Sequence, residues 1–254
     1  MSAKTGEKKR IVIVGATSAM AEQCARLWVA EAPAELILVG RDEERTRQIG
    51  ADLAIRSPES TVQVRQLDFN HAGQIRELAD EVAERGAVDI VLIAHGSLPD
   101  QSQCQEDLVL CQETLAINGV SPVLFAEAFA GSMEKAKTGT LAIIGSVAGD
   151  RGRKTNYVYG AAKGLVERYA QGLQHRLAGT GVTVVLIKPG PTDTPMTAHL
   201  KQQGGRLASV EEVSQRIVKA IAKGTPVAYV PAKWALIMQI IRHLPAFIFN
   251  KLNI

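Results

Sequence analysis

The sequence predicts a doubly wound α/β domain, a parallel sheet with helices on both faces. Three observations predict it. Short aliphatic and β-branched runs alternate with longer stretches of helical periodicity along the whole chain, the pattern of repeated strand-helix units. The first run, Arg10-Ile-Val-Ile-Val-Gly15, lacks polar alternation, as a strand covered on both faces should. At 254 residues and 46% hydrophobic content, the chain suits one large core, and no Pro/Gly/Ser-rich spacer divides it.

A polar leader, residues 1–9, is expected to fray and lacks the apolar core of a signal peptide. Residues 10–231 are expected to form the domain, with 232–254 as an apolar extension of it. Cys24, Cys104 and Cys111 show no metal-type spacing, and their odd number suits reduced thiols in the cytoplasm. A net charge of +3 without a basic, aromatic-interleaved stripe argues against a nucleic-acid partner.

The first strand feeds the turn Gly15-Ala-Thr-Ser-Ala-Met-Ala21 and a helix to Ala30. Free N–H groups at such a helix start hold a pyrophosphate, which makes Gly15, Thr17, Ser18, Ala19 and Met20 candidate cofactor contacts. A plain strand-to-helix turn is the alternative, since Ala19 and Ala21 occupy the later glycine positions of the fingerprint. The second strand, Glu35 to Gly40, is followed by Arg41. An arginine there, in place of a carboxylate for a ribose hydroxyl, suits the extra phosphate of NADP over NAD. The alternative is a surface arginine opening the helix Asp42 to Ile55. The third strand, Thr61 to Leu67, leads to Asp68 and Phe69, which would border the adenine. The fourth, Val88 to Ala94, leads to His95 and Gly96, where the backbone would pass close to the cofactor ribose. Ala94, His95 and Gly96 are read as cofactor contacts, with His95 outside the chemistry.

The apolar run Leu141 to Ser146 reads as a buried strand delivering Ser146 to the carboxyl edge of the sheet. Tyr159 and Lys163 lie four apart in a helical stretch starting at Asn156, so their side chains share a face. A free tyrosine ionises near pH ~10, and an adjacent ammonium would favour its phenolate. Tyr157 has Ala161 four residues on and is read as pocket wall or packing.

Together these residues make the chain resemble the short-chain dehydrogenase/reductases over nearly its whole length, through Ser146, Tyr159 and Lys163, the Tyr-Gly-Ala-Ala-Lys motif, Asn118 in Leu-Ala-Ile-Asn-Gly, and Lys188-Pro-Gly-Pro-Thr-Asp-Thr194. The resemblance implies a Rossmann fold and NADPH-dependent reduction of a ketone to a secondary alcohol. It makes Tyr159 the proton donor, Ser146 the group that polarises the carbonyl, and Lys163 the ribose ligand that lowers the tyrosine pKa. Asn118 would hold a relay water, and Pro189, Gly190, Thr192 and Thr194 would lie along the nicotinamide. The family's Asn-Asn-Ala-Gly stretch is here Ile93-Ala-His-Gly96. Within the family the chain is similar to the decaprenylphosphoryl-2-keto-erythro-pentose reductases, through Gly149 to Gly160, Met196 to Lys201 and Arg242 to Ile254. That likeness implies a keto-sugar on a polyprenyl phosphate. Another cytosolic ketone, such as a 3-oxoacyl thioester, is the competing substrate, and a non-catalytic NADP sensor the competing class.

Arg151, Arg153 and Lys154, between Ser146 and Tyr159, would fit a phosphorylated substrate, or form a solvated basic loop. Thr197 to Ala208 reads as a lid. The tail Trp234 to Ile254 is interrupted by Arg242, His243 and Pro245, short of the ~20 apolar residues of a membrane span. It would lie on a membrane surface as a peripheral contact, or pack against another subunit. Apolar faces on Leu108 to Ala130 and Asn156 to Leu177 imply, by the same resemblance, a homodimer or homotetramer.

Overall fold

Strand β1 (Lys9–Val14) divides its side chains between two cores. Val12 and Val14 meet Val91, Phe125 and Val166 on one side. Ile11 and Ile13 join the cluster that includes Trp28, Ile187 and Ile217 on the other. The computed structural model describes residues 8–198, 202 and 205–252. The first core is built from α3 (Ala72–Glu84), α6 (Ser121–Ala136) and α7 (Tyr157–Arg176). The second is built from α1 (Ala19–Glu31), α2 (Glu43–Arg56) and α8 (Val210–Lys223).

The remaining strands are β2 (Ala34–Gly40), β3 (Thr61–Gln66), β4 (Ile90–Ile93), β5 (Thr140–Ile144), β6 (Thr183–Pro189) and β7 (Val227–Val230). All pair in parallel, in the order β3-β2-β1-β4-β5-β6-β7. This is the doubly wound sheet read from the sequence. Strand order reverses between β1 and β4, where Val14 pairs with both Val39 and Ile93. Crossovers leave in opposite directions there, so a crevice opens beyond the carboxyl ends of the strands.

Helices α4 (Gln101–Glu106) and α5 (Leu108–Leu115) precede a π-helical turn, Ala116–Val120, that runs straight into α6. Among the described residues, Leu108–Ala136 is the one helical run long and apolar enough to cross a membrane. Its inner residues Phe125 and Phe129 are fully buried against the sheet, as in a core helix.

Several boundaries differ from expectation. Lys9 already belongs to β1, because its partner strand extends to Ala34, so the leader is shorter than 1–9. Helix α1 starts at Ala19 because Ser18, with extended backbone, is its cap residue. The tail forms α9 (Lys233–His243) and α10 (Ala246–Phe249), separated where Pro245 cannot continue a helix. Part of the expected lid, residues 199–201, 203 and 204, falls outside those described. Its stem is fastened by Asp193 N donating to Ala208 O (2.8 Å) and Ala208 N to Pro191 O (3.0 Å).

Candidate active site

Two adjoining cavities occupy the crevice. The larger, about 710 Å³, runs from the β1–α1 turn to the end of β2. The smaller, about 120 Å³, lies over the ends of β5 and β6 and the start of α7. Ser18, Met20, His95 and Gly96 border both.

At the larger cavity, Gly15 has φ of +81°, and a Cβ there would lie 2.6 Å from His95 N. Only glycine serves both conditions. Gly15 N and Ala16 N donate to Val39 O at 2.8 and 3.1 Å, pinning the turn to β2. Thr17, Ser18, Ala19 and Met20 then line the cavity with the start of α1, where the helix dipole favours an anion. Arg41 lines the other end, its guanidinium 5.9 Å from the Phe69 ring centre. Arg45 lines it too and was missed in the sequence. Its spacing of four from Arg41, across a helix start capped by Asp42 Oδ1 accepting from Arg45 N (3.0 Å), could have revealed it. Phe69 borders this cavity, but Asp68 borders neither. The Asp68 carboxylate accepts from Asn70 N (2.9 Å), closing a local turn instead.

His95 is buried between Phe69 and Phe125. Ser121 Oγ donates to Phe69 O (2.6 Å), so it accepts from His95 Nε2 (2.8 Å), which fixes the tautomer. Burial, then the charges of Lys163 and Arg41, push the imidazole pKa well below its ordinary value. A ring held this way braces the turn between β4 and the larger cavity.

Ser146, Tyr159 and Lys163 converge on the smaller cavity. Ser146 ends the β5 segment, with Oγ accepting from Ala148 N (3.1 Å). Lys163 is buried, with Nζ donating to Ile144 O (3.1 Å) and lying 5.8 Å from the Tyr159 ring centre. Burial pulls its pKa down to about 8. Tyr159 keeps partial exposure toward the cavity, but the protein enclosing it raises the phenol pKa. A hydrogen bond with Ser146 and the charge of Arg153 offset this only in part. The expected lowering by Lys163 is therefore corrected: desolvation wins, and the cation acting on the phenol is Arg153. Tyr157 is exposed and borders neither cavity.

Asn118 sits in the π-helical turn, fully buried. Its Nδ2 donates to Thr114 O (2.9 Å), and its Oδ1 accepts from Ser97 N (2.9 Å). A π turn shifts the carbonyl register, and this side chain takes up a carbonyl of the preceding turn while bracing the segment beside Gly96. Pro189, Gly190, Thr192 and Thr194 line the smaller cavity beyond β6. A Cβ on Gly190 would lie 1.9 Å from Trp234 Nε1, so the tail indole presses directly on this segment.

The family model for short chain dehydrogenase matches residues 9–205. An uncharacterized oxidoreductase of Mycobacterium tuberculosis is 30% identical over 246 residues, covering 95% of this chain and 96% of the relative. One of Streptomyces coelicolor is 28% identical over 257 residues, 98% and 97%. A Burkholderia cenocepacia short chain dehydrogenase, solved in complex with NADP, superposes with a TM-score of 0.82 at 16% identity, covering 98% of both chains. A Sphingobium yanoikuyae short-chain dehydrogenase in complex with NADPH gives 0.80 at 21% identity, covering 93% and 97%. The family model and the oxidoreductase relatives make the protein an oxidoreductase. The chain belongs to the short-chain dehydrogenase family.

Proposed function

We propose that the protein reduces a ketone to a secondary alcohol with NADPH. The observation that carries this reading is the meeting of Ser146, Tyr159 and Lys163 on one cavity that opens into another lined by a helix start and two arginines. The residues present fit the cofactor. The cavity bordered by Thr17, Ser18, Ala19 and Met20 can take a pyrophosphate at the α1 N-terminus, and Arg41 with Arg45 suits a ribose phosphate by charged, forked hydrogen bonds. That two solved relatives in fold hold NADP or NADPH supports the same choice. Bound there, the nicotinamide supplies hydride. Tyr159 then gives its proton to the carbonyl oxygen while Ser146 orients that oxygen by a hydrogen bond. Lys163 holds the ribose, while Asn118, with its side chain engaged by Thr114 and Ser97 and outside both cavities, braces the segment beside Gly96. A raised tyrosine pKa suits this direction, since the phenol must begin protonated.

For substrate, the reading is a keto-sugar on a polyprenyl phosphate, met at the inner face of the membrane by an otherwise cytoplasmic homo-oligomer. Its support is the likeness in three passages noted above, together with a tail that exposes Leu236, Ile240 and Phe247 beside the cations Lys233, Arg242 and Lys251. Such a mixture suits an anionic lipid surface. In Tyr159→Phe, ketone-dependent NADPH oxidation should fall by roughly 10²–10⁴-fold, with NADPH still bound in preference to NADH. Activity retained in that variant would remove Tyr159 as the acid; unchanged cellular function without turnover would favour a sensor.

A further inference from the structure

The three cations between Ser146 and Tyr159 have different surroundings. Arg151 turns toward the tail. Its Nη1 donates to Ile241 O (2.6 Å) and Leu244 O (2.7 Å) at the end of α9, and its guanidinium carbon lies 3.7 Å over the Phe249 ring. Lys154 is exposed. Arg153 instead lines the smaller cavity with Ser146, Asn156 and Tyr159.

Among the described residues, Arg153 Nε is a buried donor without a hydrogen-bond partner, and Asn156 Oδ1 is a buried acceptor in the same condition. One tight turn carries both, closed by Asn156 N donating to Arg153 O (3.1 Å). Buried guanidinium groups ordinarily find anions, and buried polar atoms ordinarily find partners. Asp150 is the neighbouring acid, but its carboxylate is already engaged by Lys188 and Tyr229. Both residues line one cavity, and an unmatched donor and acceptor within its wall indicate a ligand that brings an oxyanion and a hydroxyl.

We propose that Arg153 is the anion-binding residue of the reaction cavity and receives a phosphate oxyanion that the ketone substrate carries within a few bonds of its carbonyl. The short separation follows because Arg153 and Tyr159 share a cavity of about 120 Å³. Asn156 Oδ1 accepts from a hydroxyl of the same substrate. Phosphate suits the planar fork of arginine. Arg151 and Phe249 are positioning residues that tie the turn to α9 and α10, which gives the tail a role in substrate selection. This rests on the ketone-reductase reading and names its substrate class.

Dihydroxyacetone phosphate and dihydroxyacetone form a matched probe pair, differing only in the phosphate. They would be titrated into the full chain saturated with NADPH, with binding read from nicotinamide fluorescence. The wild type should bind the phosphorylated ketone about tenfold or more tightly than the neutral one. Arg153→Gln should bring the two within about twofold, Arg153→Lys should keep part of the preference, and both should bind NADPH as the wild type does. Arg151→Ala should weaken the preference in part. No preference in the wild type, or one that survives in Arg153→Gln, would overturn the proposal. A preference without NADPH oxidation would leave the anion site standing and count against the reductase reading. Oxidation of NADPH by both ketones at equal KM would do the reverse.

Discussion

At Lys163, burial has brought the ammonium pKa down to about 8, whereas the Tyr159 phenol has been moved up. The two groups thus lose their protons in the opposite order from a lysine that stays charged beside a phenolate. Below pH 8 Lys163 is charged and Tyr159 protonated, the state in which ketone reduction can proceed. As pH rises through about 8, Lys163 becomes neutral and its grip on the ribose weakens, while Tyr159 still holds its proton. The rate of ketone reduction should therefore fall above about pH 8, following one ionisation. A profile flat to pH ~10 would remove Lys163 from the reaction. The identity of these residues was legible because chemistry restricts what can stand at a four-residue helical spacing. Their proton affinities were not, because burial depends on the surrounding fold, as do the Ser146 hydrogen bond and Arg153 charge that partly offset it at Tyr159.

Among the elements, Lys188 of β6 joins the 3₁₀ turn after β5 to α7. Its buried Nζ contacts Asp150, in the 3₁₀ turn Val147–Asp150, and donates to Glu167 Oε2 of α7 at 2.8 Å. Tyr229 of β7 donates to the same Asp150 carboxylate, with Arg242 of α9 3.8 Å from it. Burial alone would lower the Lys188 pKa, but hydrogen bonds and charge from Asp150 and Glu167 outweigh it and raise the value. Lys188→Met would leave Asp150 buried without its main countercharge, and the unfolding free energy should drop by about 3–5 kcal/mol. Denaturant titration reads this directly; a loss below about 1 kcal/mol would mean that the cluster is solvated and of little weight. Strands β1 to β5 and the helical stretches of α1, α2, α5, α6 and α7 were legible from periodicity, since apolar runs and amphipathic spacing are local. The π turn at Asn118 was not, because an extra residue in a helix leaves no mark on the apolar pattern. Nor was the division of Arg151 from Arg153, which depends on where α9 ends.

For the whole molecule, the faces left uncovered matter as much as the cavities. Leu108 is 78% exposed, Val120 47% and Leu165 43%, on α5, the π turn and α7. Apolar exposure of this kind on neighbouring helices suits an isologous contact between copies. Size-exclusion chromatography should give a multiple of the 27.3 kDa chain mass, and the double variant Val120→Glu/Leu165→Glu should shift toward the monomer. A wild type eluting as a monomer at micromolar concentration would refute this.

By itself the sequence determined the α/β class, the strands β1 to β5, and the residue types brought to the carboxyl edge of the sheet, because each is written in local patterning and in residues with few substitutes; β6 and β7 came only with the structure. Only the tertiary structure decided which of those residues share a cavity, that Asp68 stands outside both, that Arg45 stands inside one, and that Arg153 alone of three cations turns inward. Those outcomes depend on burial and on partners distant in the chain, and no local pattern carries that information.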